Sequence, residues 1–127
     1  MKIPTLAILA ITLPVLAFAE PVPKFKRLQL SNQFFAEGAA VGDFNKDGKL
    51  DVVSGPFWYA GPDFKNRLPI YDTKAFPPKG YSRNFNTWVH DFNGDGWDDV
   101  LRVTFPGEKA VWYQNPQADG AGVWKEH

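Results

Sequence analysis

Apolar positions fall into one long N-terminal block and then into short runs separated by turn residues. The block, Ile3 to Phe18, is interrupted only by Pro4, Thr5, Thr12 and Pro14 and follows the single charge of Lys2. It ends in Ala17-Phe18-Ala19, a small-x-small pattern before Glu20. That layout is a secretory signal peptide over residues 1–19, cleaved between Ala19 and Glu20. The run falls short of the ~20 residues that span a bilayer. Beyond it no stretch has a 3.6-residue apolar period. Short β-type runs predict strands over Ala39–Phe44, Leu50–Ser54, Asn86–Phe92, Asp98–Phe105, Lys109–Gln114 and Val123–Glu126. Phe25–Leu30 alternates like another, with Lys24, Lys26 and Arg27 on a solvated face. Residues 61–85, with Pro62, Pro69, Pro77, Pro78 and Gly80, read as a loop-rich insertion.

Two segments repeat. Val41-Gly42-Asp43-Phe44-Asn45-Lys46-Asp47-Gly48-Lys49-Leu50-Asp51-Val52-Val53 aligns with Val89-His90-Asp91-Phe92-Asn93-Gly94-Asp95-Gly96-Trp97-Asp98-Asp99-Val100-Leu101, identical at eight of thirteen positions. The offset is a constant 48 residues, as from Asp43 to Asp91. Such a period lies near that of propeller blades. The expected fold is all-β: a partial β-propeller of about two four-stranded antiparallel blades with calcium-binding loops, over residues 20–127.

Both loops fit Asp-Phe-Asn-x-Asp-Gly-x-x-Asp. Oxygen ligands at alternating positions 1, 3 and 5 can converge on one hard cation. In the first loop these are Asp43, Asn45 and Asp47, followed by the backbone carbonyl of Lys49 and by Asp51. In the second they are Asp91, Asn93 and Asp95, then the carbonyl of Trp97 and Asp99. Gly48 and Gly96 take position 6, where a positive φ is expected. Oxygen donors without cysteine or paired histidine favour calcium over zinc, about two ions per chain. An EF-hand would need a Glu at position 12, where Ser54 and Arg102 stand, and flanking helices. Phe44 and Phe92, between ligands, are expected in the core. His90 is expected to face a blade interior or a neighbouring strand.

Composition narrows the function. The chain of 127 residues carries 14 Lys plus Arg and 14 Asp plus Glu, a formal charge of zero. That argues against nucleic-acid binding through bulk basicity. The absence of cysteine excludes a disulfide scaffold, a thiolate nucleophile, a Cys-based zinc or iron–sulfur site and a bacterial-type lipoprotein. Seven of the 14 acidic residues (Asp43, Asp47, Asp51, Asp91, Asp95, Asp98 and Asp99) crowd into the two loops, and bound divalent ions would offset their repulsion. No Gly-x-Ser-x-Gly elbow, phosphate loop or His-Glu-x-x-His motif is present. Trp58, Tyr59, Trp88, Trp112, Tyr113 and Trp124 are expected to pack between blades, and Trp97 to be exposed.

The loop motif resembles the FG-GAP/VCBS repeat of integrin α-subunit propellers and secreted bacterial proteins. Gly55-Pro56-Phe57-Trp58-Tyr59 and Trp112-Tyr113-Gln114-Asn115-Pro116 are similar to the aromatic ends of bacterial members. The resemblance covers roughly residues 25 to 127. It implies blades of four antiparallel strands, with calcium in the loop joining the first two, held by Asp43, Asn45, Asp47 and Asp51 and by Asp91, Asn93, Asp95 and Asp99. One departure is expected: the first copy has Ala60-Gly61-Pro62 where the second has a full extra strand before its aromatic motif.

A closed propeller needs at least four blades of ~40–50 residues. Two repeats therefore suggest a truncated chain lacking its remaining blades; the alternatives are a ring assembled from several copies, or a two-blade remnant whose exposed edges are prone to association. The expected function is a non-catalytic module, secreted, periplasmic or at the cell surface, that binds an extracellular protein or glycan. It is not held to a membrane after signal cleavage. The rivals are a fragment of a secreted polysaccharide-active, lyase-like enzyme with catalytic groups elsewhere, and a purely structural repeat.

Overall fold

A computed structural model describes residues 22–127; residues 1–19, expected to be a signal peptide, lie outside them. Among the described residues there is no α-helix, and hence none long and apolar enough to cross a membrane. Eight strands form two four-stranded sheets. The first contains β1 (Ala39–Gly42), β2 (Asp51–Ser54), β3 (Phe57–Tyr59) and β4 (Arg67–Pro69). The second contains β5 (Asn86–His90), β6 (Asp99–Val103), β7 (Ala110–Gln114) and β8 (Lys125–Glu126). Each is an antiparallel meander in chain order, and β1 lies beside β5.

The 48-residue offset persists in strand register. Ala40 pairs with Val53 and Val53 with Trp58. At the equivalent places Trp88 pairs with Leu101 and Leu101 with Trp112. Likewise Val52 opposes Tyr59 and Val100 opposes Tyr113. The aromatic motifs are thus third strands in both copies, and the expected extra strand in the second is absent. The copies differ instead in the hairpin before that strand, a tight turn at Gly55-Pro56 against the longer loop 104–109.

The core lies between the sheets. Phe44, Val53, Trp58 and Ile70 of the first meet Val100, Val111, Tyr113 and Trp124 of the second. Phe44 is fully buried, its ring 5.8 Å from those of both Trp58 and Trp124. Two aromatic expectations fail together. Phe92 is 40% exposed and Trp88 48% exposed, because the face of the second sheet turned away from the core has no sheet over it. His90 is exposed on that face too, edge-on to Phe92 at 5.4 Å, and so faces no interior. Trp112, only half-buried, stacks on His127 at 4.1 Å. Trp58, Tyr59, Tyr113 and Trp124 are buried as expected, while Trp97 is half-buried under Lys46 rather than exposed.

Two strand expectations also fail. Phe25–Leu30 forms no strand: Phe25 is 93% exposed, and the segment pairs with no other strand among the described residues. The supposed insertion at 61–85 contains β4, whose Leu68 pairs with Trp58, and Phe76, which bridges to Phe34. Of the prolines that argued for a loop, Pro62 precedes β4, Pro69 ends it, and Pro77 and Pro78 lie beyond it.

Candidate functional site

Both acidic loops emerge at the same end of the sheets, one from β1 into β2 and the other from β5 into β6. They touch. The Asp43 amide donates to Asp98 Oδ2 at 2.9 Å, and Lys46 Nζ lies 4.5 Å from the centre of the Trp97 ring.

Inside each loop the side-chain oxygens gather backbone N–H groups in the same scheme. Asp43 Oδ1 and Asn45 Oδ1 both accept the Asp47 amide, at 3.1 and 3.2 Å, and Asp43 Oδ2 accepts the Gly48 amide at 3.0 Å. In the second loop Asp91 Oδ1 and Asn93 Oδ1 share the Asp95 amide, at 3.1 and 3.0 Å, and Asp91 Oδ2 accepts the Gly96 amide at 2.7 Å. Asp47 and Asp95 accept the amides of Lys49 and Trp97 at 2.9 Å. The chain folds this way because the sixth position adopts positive φ, 79° at Gly48 and 85° at Gly96, as the motif predicts. The fourth position does so as well, at Lys46 and Gly94.

The ninth-position carboxylates are different. Asp51 and Asp99 are wholly buried. Asp51 accepts the amides of Phe44 at 2.9 Å and Gly61 at 2.8 Å, one per oxygen. Asp99 accepts those of Phe92 at 3.0 Å and Asn115 at 2.8 Å. Each therefore fastens its loop to the start of the segment after the third strand. Every carboxylate oxygen has two lone pairs, so one N–H leaves capacity for a cation.

Electrostatics separates the two kinds of carboxylate. The Lys49 amide holds Asp47 below the usual carboxylate range. The Trp97 amide, then Asn93 and Gln117, do so for Asp95. Burial pushes Asp51 and Asp99 up, against the pull of their amide donors, and the neighbouring loop carboxylates push the same way. Asp51 and Asp99 thus carry charge at a cost that a nearby cation would reduce.

Among the described residues no three His, Cys, Asp or Glu groups are drawn around a single point. The donor set nonetheless suits a hard cation: carboxylate and amide oxygens at positions 1, 3, 5 and 9, with the seventh carbonyl, two of the oxygens in each loop already meeting at one N–H. Three residues that tie the loops together escaped the sequence reading: Lys46, Asp98 and Asn115. The buried Asn115 amide donates to the carbonyls of Phe44 and Asp98, both at 3.0 Å. The only signal for Asp98 was that it replaces Leu50 of the first copy. The sequence matches no family model, and no curated protein or solved structure matches it.

Proposed function

We propose that the chain is an exported, calcium-stabilised repeat module of β-propeller type that binds an extracellular protein or glycan and performs no catalysis itself. The observation that carries this reading is the pair of acidic loops with one hydrogen-bond scheme, set side by side at one end of two equivalent meanders. Calcium would be held by Asp43, Asn45, Asp47, Asp51 and the Lys49 carbonyl, and by Asp91, Asn93, Asp95, Asp99 and the Trp97 carbonyl. It would neutralise the clustered carboxylates and brace each strand pair. The row Trp88, Leu101 and Trp112, part-exposed and without a sheet over it, supports a larger array, since the same row in the first sheet, Ala40, Val53 and Trp58, faces the core. In this reading further blades or other copies cover it.

Titration calorimetry on the chain from Glu20 onward is expected to give about two calcium ions. Asp47→Ala and Asp95→Ala should each remove one. A hundredfold excess over Kd stabilises a folded state by about 2.7 kcal/mol per site. Zero stoichiometry on folded protein, or a full calcium-induced rise in melting temperature in both variants, would overturn the assignment.

A further inference from the structure

A cavity of about 350 Å³ opens at the end of the sheets remote from the acidic loops, lined by Tyr71, Phe76, Arg83, Asn84, Arg102 and Lys109 among others. Its cations are unequally matched. Arg83 pairs with Glu108 and Lys109 with Glu126 at 3.2 Å. Arg102 has no carboxylate partner among the described residues. Its guanidinium sits 4.6 Å from the ring centre of Tyr71 and 5.4 Å from that of Tyr113, two rings stacked 4.7 Å apart. Arg102 Nε is buried without a partner, and so is Asn84 Oδ1. Asn84 is only 2% exposed, and its amide nitrogen is already committed to the Tyr71 hydroxyl at 2.9 Å.

We propose that this cavity binds a carboxylated sugar, with the ligand carboxylate on Arg102 and a ring hydroxyl donating to Asn84 Oδ1. A guanidinium fixed on an aromatic stack presents a planar fork that matches the two oxygens of a carboxylate. Asn84 Oδ1 can only accept, so the ligand must also bring a donor. A uronic acid has both groups on one ring, whereas a fully ionised sulfate or phosphate has no donor. Tyr71 and Phe76 offer apolar surface to the ring. The volume is near the lower end of the ~300–1,000 Å³ of ligand sites and suits one sugar unit. Beside the cavity Tyr81, Phe85 and Phe105 form an aromatic cluster with centroids 5.2 to 5.7 Å apart, and Tyr81 is 69% exposed. That cluster would carry the next unit of an acidic oligosaccharide.

The proposal rests on the binding-module reading and specifies its ligand. The test is calorimetric titration of calcium-loaded protein with trigalacturonic acid, with neutral galactotriose, and with the acetylated peptide acid of triglycine. The acidic trisaccharide should bind at least tenfold more tightly than either control and weaken as salt rises. Arg102→Gln should lower that affinity at least tenfold. Lys109→Glu, at an exposed residue of the cavity lining, would set a negative charge against the ligand carboxylate; it should do likewise and decides the matter if the first variant fails to fold. Absent binding, equal affinity for the neutral sugar, preference for the peptide, or unchanged affinity in the folded variants overturns the proposal. Two calcium ions bound without any acidic sugar would refute this site alone. Failure to bind calcium would instead refute the module reading, since the loops lie at the other end.

Discussion

Gly94 at φ 76° and Lys46 at φ 56° occupy the same loop position, so the second copy uses the residue that tolerates this conformation and the first does not. A Cβ at Gly94 would meet nothing within 4 Å. Gly94→Ala should therefore cost only the backbone term, about 1–2 kcal/mol, read from the urea midpoint; a larger loss would mean a contact the geometry lacks. Asp51 and Asp99 make a sharper case. Both oxygens of each accept backbone N–H groups, and an asparagine can offer only one acceptor. Asp51→Asn and Asp99→Asn should each turn one buried bond into two facing donors and cost about 2–3 kcal/mol in calcium-free buffer. A loss seen only with calcium present would mean the carboxylate acts through the ion and not as a clamp.

The loops and third strands act as linked elements. Asn115 follows β7, yet its side chain ties the carbonyl of Phe44 in the first loop to that of Asp98 in the second, while its Oδ1 accepts the Gln117 amide at 2.8 Å. In the first sheet Gly61 stands at the corresponding place, donating its amide to Asp51 with no side chain to reach further. Asn115→Ala should thus strand the buried Phe44 carbonyl and the part-buried Asp98 carbonyl and Gln117 amide, and cost about 3 kcal/mol. Its effect should appear as earlier hydrogen exchange in both acidic loops, because the bond joins the sheets. Loss confined to β7 and β8 would contradict that linkage.

The whole molecule treats equivalent faces unequally. The row through Val53 and Trp58 is buried by the second sheet, while the row through Leu101 and Trp112 has no sheet over it and is only half-buried. Phe44→Ala should cost about 3–5 kcal/mol, the range for a buried phenylalanine. Phe92→Ala should cost about 1 kcal/mol or less in the isolated chain, measured by the same thermal melts. Equal losses would mean that something covers Phe92 in solution. A concentration-dependent melting temperature would point to a second copy on that face.

Much of the architecture follows from local pattern alone. The repeat, the strands flanking each loop and the left-handed glycines were legible because each depends on residues a few positions apart. The loop oxygens were legible for the same reason. Strand β4 was not, since a three-residue strand carrying Pro69 is defined by its partner Trp58 rather than by its own composition. Phe25–Leu30 failed in the opposite sense: it alternates properly but has no partner. The exposure of Phe92, Trp88 and His90 was likewise beyond the sequence, because burial of a sheet face depends on whether another sheet lies against it. The sequence by itself determined two acidic turns between β-forming segments. Only the tertiary structure decided that the turns touch through Asp98 and Lys46, that Asn115 crosses from one sheet to the other, and that Arg102 meets Tyr71 in a cavity Asn84 also lines. Those contacts join residues far apart in the chain, and only packing brings them together.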